Sequence, residues 1–121
     1  MKLIIAGSRG INNIVTLYCA LEIFELSSEM IDEIVSGMAR GADRLGEEFA
    51  KTHGIPVKQF LARWTEFGKS AGYKRNAEMA EYGTHLLALW DGESKGTSHM
   101  VNLMRKKEKP VYLYNMAELK K

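Results

Sequence analysis

Apolar residues run along this chain in two alternating rhythms. Five short blocks are apolar at most positions: "KLIIAG" (2–7), "DEIVSG" (32–37), "IPVKQFL" (55–61), "THLLALW" (84–90) and "PVYLY" (110–114). Each is about the length of one strand and is bounded by Gly, Pro or polar residues, which predicts strands buried on both faces. Between these blocks the apolar positions recur every three or four residues. Ile14, Leu17, Tyr18, Leu21 and Phe24 predict a helix over 13–28. Leu45, Phe49 and His53 predict one over 43–53, stopped by Gly54. Ala71, Ala77, Met79, Ala80 and Tyr82 predict a third over 69–82. Met100, Val101, Leu103 and Met104 predict a fourth over 97–107, with Arg105, Lys106 and Lys107 at the negative end of its dipole. The two prolines, Pro56 and Pro110, each open a strand block, where a missing N–H costs no ladder bond.

Strands that alternate with helices, and are apolar nearly throughout, imply a sheet covered on both sides. With right-handed crossovers the expected fold is α/β, a Rossmann-like three-layer sandwich around a central, mostly parallel five-stranded sheet. Neither a linker nor a repeat interrupts the pattern, so residues 1–121 read as a single domain.

In such a sheet, ligands sit outside the carboxyl ends of the strands. Those ends are unusual here. Gly7-Ser8-Arg9-Gly10 follows the first strand, and "SGMARGAD" (36–43) the second. Arg63 and Trp64 follow the third, and the next helix carries Lys74-Arg75-Asn76. "DGESKGT" (91–97) follows the fourth. Glycines let backbone N–H groups approach an anion, and helix N-termini after Gly41 and Gly96 would add oriented donors. Arg9 and Arg75 could clamp a phosphate bidentately. Asp43 and Asp91 are acceptors suited to ribose hydroxyls, and Trp64 or Trp90 could stack a base. The expected ligand-binding set is therefore Gly7, Ser8, Arg9, Ser36, Gly37, Ala39, Gly41, Asp43, Trp64, Arg75, Asn76, Asp91, Ser94, Gly96 and Thr97.

Plainer explanations stand beside these. Asp43 could serve as an N-cap. Gly37 and Gly41 could only permit close packing. Trp90 could be core, and Arg40, Arg44 and Lys95 solvated. His53 suits a helix C-terminus, and His85 and His99 suit surface or packing positions. Cys19, the one cysteine, sits in a helical apolar pattern and reads as a buried thiol in a reducing compartment.

Composition narrows the function classes. Of the 121 residues, 45% are hydrophobic and 26% charged, a balance that suits a packed globule. A net charge of +2 with both signs interspersed argues against strong electrostatic attraction to nucleic acid or to an anionic membrane. No apolar run approaches the roughly 18 residues of a membrane span. "MKLIIAGSRG" is broken by Gly too early for a signal peptide, so a cytoplasmic protein is expected, in a cell or delivered there by a virus. The three His and Cys19 lack metal-ligand spacing, so no metal or cofactor is expected. Ser8 has no His–Asp partners for a triad, and neither G-x-x-x-x-G-K-[ST] nor G-x-G-x-x-G occurs.

"IIAGSRG", "SGMARGAD", "AGYKRNAEMAE" and "WDGESKGT" together resemble the SLOG superfamily, named for the Smf/DprA and Lonely Guy proteins, and within it the small single-domain YspA-like branch of bacteria and phages. The resemblance runs over nearly the whole chain. It implies binding of a nucleotide or a nucleotide-derived ligand, such as a nucleoside monophosphate, ADP-ribose or an NAD-related molecule. Lonely Guy enzymes hydrolyse the N-glycosidic bond of a nucleoside monophosphate with an Arg and a Glu. By the resemblance their Arg falls on Arg75, their Gly-Thr on Gly96-Thr97 and their Glu on Met100, which cannot supply acid–base help or charge stabilisation. Asn76 replaces a Lys, and the loop is one residue longer.

The expectation is therefore a nucleotide-binding module, a sensor or a sequestering protein. One alternative is a phosphoribohydrolase-type enzyme with Arg75, Asp91 and Glu93 as candidate catalytic residues. A second is DprA-like binding of single-stranded nucleic acid, suggested by "SGMARGAD" and Trp64. The apolar arc of 14–24 and the Ala-, Met- and aromatic-rich stretch 65–82 suggest a homodimer or larger assembly, as in Lonely Guy-like proteins.

Overall fold

The computed structural model describes residues 1–37 and 41–116. Five strands form one sheet: β1 (Lys2–Gly7), β2 (Glu33–Ser36), β3 (Val57–Gln59), β4 (His85–Trp90) and β5 (Val111–Asn115). Their order is β3-β2-β1-β4-β5, and every neighbouring pair is parallel. The architecture is the expected Rossmann-like α/β sandwich, with an all-parallel sheet rather than a mostly parallel one. The central strands carry the continuous apolar runs. Leu3, Ile4 and Ile5 of β1 and Leu86 to Leu89 of β4 are fully buried.

Helices cover both faces. Alternate residues of each strand point to opposite sides. Leu3, Ile5, Ile34, Leu87 and Leu89 meet α1 (Ile14–Ile23) and α2 (Ala42–His53) through Leu17, Leu21, Leu45 and Phe49. Ile4, Val35, Leu86 and Ala88 meet α4 (Ala71–Tyr82) and α5 (Lys95–Lys106) through Met79, Ala80, Met100 and Met104. A four-residue helix, α3 (Trp64–Phe67), precedes α4 and buries none of its residues.

Local chemistry sets the ends of these elements. The Asn13 side chain accepts the Val15 N–H at 2.9 Å and starts α1. Gly54, left-handed at φ 67°, ends α2 as expected. The C-terminal end of α4 is held by Lys109, whose Nζ donates to the carbonyls of Ala80, Glu81 and Gly83 at 2.7–3.0 Å.

Three expectations are corrected. The first helix ends at Ile23 instead of Ser28, because the chain turns at Glu25 (φ 55°) so that Leu26 can enter the core. Cys19 is exposed, not buried, because it lies on the outer side of α1. β3 is an edge strand with all three residues exposed, so "IPVKQFL" is not buried on both faces.

Val15, Tyr18 and Ile23 on α1, and Trp64, Phe67 and Tyr73 around α3 and α4, leave apolar surface exposed. Among the described residues, no helix is long and apolar enough to cross a membrane, and no group of three or more His, Cys, Asp or Glu is placed to hold a metal ion.

Candidate functional site

The order β3-β2-β1-β4-β5 sends the chain outward from β1 to β3 and then back to β4 on the other side of β1. The loops leaving β1 and β4 therefore diverge, and a crevice opens at their carboxyl ends. A cleft of about 1070 Å³ lies there. It brings together twelve of the fifteen expected ligand-binding residues: Gly7, Ser8, Arg9, Gly37, Asp43, Trp64, Arg75, Asn76, Asp91, Ser94, Gly96 and Thr97. Segments far apart in the chain thus converge on one rim.

Arg75 is its electrostatic centre. α4 presents the side chain to the end of β2, where Nη1 donates to the Gly37 carbonyl at 3.0 Å. A Cβ on Gly37 would stand 3.0 Å from Arg75 Nε and 3.0 Å from Asp43 Oδ2, so this glycine clears space for a guanidinium and a carboxylate. Asp43, 6% exposed, lies in the first turn of α2 with Gly41 as the cap residue, so it is not the N-cap. Burial pulls the Arg75 guanidinium below the ordinary arginine range; the Asp43 charge opposes this and the Arg9 charge adds to it. Arg75 Nε is buried and has no hydrogen-bond partner among the described residues. A buried donor left unmade costs about 1–3 kcal/mol.

The loop after β4 is built differently. Asp91 Oδ1 accepts the N–H groups of Glu93 at 2.8 Å and Ser94 at 2.9 Å. These amide bonds, Glu93 first, hold the Asp91 carboxyl below the usual carboxylate range. Ser94 is the N-cap of α5, and its Oγ accepts the Thr97 N–H at 3.4 Å. The helix therefore starts before Gly96, not after it, and the Thr97 amide, which follows Gly96, is already taken. Ser8 joins the two loops: its N–H donates to the Leu89 carbonyl, and its Oγ accepts the Asp91 N–H, both at 3.0 Å. Asn76 is buried, with Nδ2 placed 3.3 Å from both the Gly96 carbonyl and His99 Nδ1, so it ties α4 to α5.

Two of the remaining expected residues lie elsewhere. Ser36 is fully buried and donates to Glu47 Oε2 at 2.5 Å, away from the cleft. Gly41 does not line the cleft. At φ +78° its missing Cβ leaves room for the Ser8 and Arg9 carbonyls, 2.4 and 2.7 Å from where that carbon would sit. Its reason is packing. Ala39 lies outside the described residues. Glu93 is exposed and outside the cleft, and Trp90 turns its Nε1 to the Ser94 carbonyl at 3.0 Å.

The cleft also contains residues that the sequence did not single out for a ligand. Arg44 and Lys69 add positive charge, Leu61 and Tyr73 add apolar rim, and Met79 lies in the wall. Lys69 and Tyr73 lie six and two residues before Arg75, a spacing that does not put them on its helix face, so the sequence carried no signal for them. Met100, where the resemblance puts the Lonely Guy Glu, is 1% exposed and lines the same cleft.

The family model of the YspA, cpYpsA-related SLOG family matches residues 1–67, which run from β1 to the end of α3 and include the Gly7–Arg9 loop, Gly37, Asp43 and Trp64. The chain belongs to that SLOG family. Arg75 and the 91–97 loop lie beyond the matched part. A relative spans them: the Gene 61 protein of Mycobacterium phage D29 is 34% identical over 118 residues, covering 91% of this chain and 93% of its own length. No solved structure matches the chain. SLOG membership suggests binding or processing of a nucleotide-related ligand, and the crevice between β1 and β4 is where this fold offers the room for it.

Proposed function

We propose that this protein binds a nucleotide or nucleotide-derived anion in the cleft and acts as a sensor or a sequestering protein. The observation that carries the reading is the Arg75 guanidinium: it is half-buried, fixed on the Gly37 carbonyl, close to the charge of Arg9, and its Nε has no partner among the described residues. The anionic group sits between the two arginines. The sugar and base lie along Met79 and Met100 toward the Trp64 and Tyr73 rim.

Binding rather than turnover follows from the acids. Of the described lining residues, Asp43 and Asp91 are the carboxylates. Asp43 is buried near Arg75, and Asp91 is occupied by two backbone amides and kept ionised. Neither is suited to protonate a leaving base. The hydrolase alternative draws on Arg75 and Thr97 sharing the cleft, and release of free base from a nucleotide would establish it.

Titration calorimetry with AMP, ADP-ribose, NAD and cyclic AMP tests the proposal. Arg75→Met is expected to weaken the bound ligand by about thirty- to a hundred-fold, the size of a lost charge-assisted bond. Arg75→Lys should restore part of that, because it keeps the charge without the planar fork. Absence of binding at millimolar ligand overturns the reading. The exposed apolar side chains of α1 and of the cleft rim support self-association, and light scattering at the mass of one chain would refute it.

A further inference from the structure

His99 does not line the cleft, yet it touches a residue that does. Its Nδ1 stands 3.3 Å from Asn76 Nδ2, and the same Nδ2 stands 3.3 Å from the Gly96 carbonyl oxygen. Asn76 and Gly96 both line the cleft, and Asn76 is buried. A carbonyl can only accept, so the nitrogen of the Asn76 amide, not its oxygen, faces α5. His99 Nδ1 must then accept as well, which puts the single ring proton on Nε2. Both hydrogen bonds that Asn76 makes among the described residues run through Nδ2. That leaves its Oδ1 as a fixed acceptor on the cleft wall, one residue along α4 from Arg75.

This pair of bonds is compatible with only one charge state of the ring. A protonated imidazole donates from both nitrogens and offers the Asn76 amide no acceptor. Turning the amide over would satisfy His99 but would set Asn76 Oδ1 against the Gly96 oxygen, two acceptors with no proton between them. The surroundings favour the neutral ring. From α4 come the uncharged Asn76 amide and the Tyr73 ring, set edge-on with centroids 4.6 Å apart. From α5 come Lys106 and, one turn before His99, Lys95. Burial first, and the Lys106 charge second, hold the imidazole below its ordinary range.

Resting on the binding proposed above, we propose that His99 is a positioning residue: as a neutral ring it locks the Asn76 amide with Oδ1 toward the bound ligand, and on gaining a proton it releases that lock. Protons and ligand then compete through a residue that the ligand never touches. The ordinary imidazole midpoint is 6.5 and the folded one lies lower, so binding is at full strength above that pH and weakens as pH falls through the folded midpoint. A ring that acted through its charge alone would do the reverse, because a new cation beside the cleft would draw an anion in.

Nitrogen NMR of the ligand-free full chain tests the lock itself. Neutral His99 should carry its proton on Nε2, and the Asn76 side-chain amide signals should move with the His99 titration. Calorimetry then uses whichever of AMP, ADP-ribose, NAD and cyclic AMP binds most tightly, at about pH 7.5 and at about one unit below the His99 midpoint found by NMR. Any titration of the ligand cancels when a variant is compared with the unaltered protein at the same pH. His99→Gln keeps an acceptor for Asn76 and cannot titrate. It should match the unaltered protein within about three-fold at the higher pH and bind about five-fold more tightly than it at the lower pH. His99→Phe keeps a ring against Tyr73 but offers no acceptor, and should bind about three- to ten-fold more weakly than His99→Gln at the higher pH. Circular dichroism confirms that each variant is folded. A neutral ring protonated on Nδ1, or Asn76 signals that ignore the His99 titration, overturns the inference and leaves the cleft reading intact. So does a His99→Gln protein with the pH dependence of the unaltered one, a His99→Phe protein that binds like His99→Gln, or binding that tightens as the ring gains its proton. If none of the four nucleotides binds, the cleft reading and this inference both fail.

Discussion

Two glycine-rich segments face each other across the cleft, and they use their glycines in opposite ways. In the segment after β2, Gly37 and Gly41 are bare because protein atoms occupy the space: Arg75 and Asp43 at one, the Ser8 and Arg9 carbonyls at the other. In the segment after β4, nothing comes within 4 Å of a Cβ placed on Gly96. Hydrogen bonding runs the other way. The β4 loop satisfies its own amides with Asp91 and Ser94. The crowded β2 end leaves Arg75 Nε without a partner among the described residues. Two stretches of similar composition thus divide the work, one as a self-contained helix start and the other as the crowded seat of the Arg75 guanidinium.

The largest effect expected from breaking this contrast is on stability. Gly41→Ala puts a Cβ against two carbonyls at positive φ and should cost at least about 2 kcal/mol in urea denaturation. Gly96→Ala, in the open first turn of α5, should be neutral or stabilising by up to about 1 kcal/mol. Equal losses at the two positions would erase the distinction.

Next comes Gly37→Ala, whose Cβ must displace the Arg75 and Asp43 side chains. Because a flexible side chain can yield, stability should change by less than about 1 kcal/mol, whereas the same calorimetry should show affinity for the anion down about ten-fold. A variant that binds as well as the parent would mean that Arg75 does not need its seat on residue 37.

The smallest effect lies in the β4 loop. The folded carboxyl of Asp91 titrates below its ordinary range, so its stabilising contribution is complete above about pH 3.9 and is lost as pH falls through the lower folded value. Asp91→Asn should therefore flatten the acid limb of the stability curve and leave neutral-pH stability within about 1 kcal/mol. An unchanged acid limb would show that the amide bonds to Asp91 carry no weight.

Much of the scaffold was legible because its signals are local. The apolar runs of β1 and β4 and the stop at Gly54 depend on nearby residues alone. The end of α1 was not legible: Glu25 takes a positive φ without a glycine to announce it, and the reason is the distant packing of Leu26. β3 was recognised as a strand, but its place at the sheet edge is a matter of topology, not composition. For the site, the strand-end rule picked out loops that the fold brings together around one cleft. It could not tell whether the space beside a glycine belongs to a ligand or to the protein. Gly41, expected at an anion cradle, packs against the Ser8 and Arg9 carbonyls, and Asp91, expected as a sugar acceptor, has Oδ1 on two backbone amides. Arg44 was read as solvated and Lys69 was not singled out, because surface cations are common, and only the folded backbone places these two at the cleft.

The exposed thiol of Cys19 has a practical consequence. It lies on α1, outside the residues that line the cleft. Because the chain contains a single cysteine, a maleimide dye attached there marks one place only. Its emission would report on the surroundings of α1, while the residues lining the cleft stay chemically untouched.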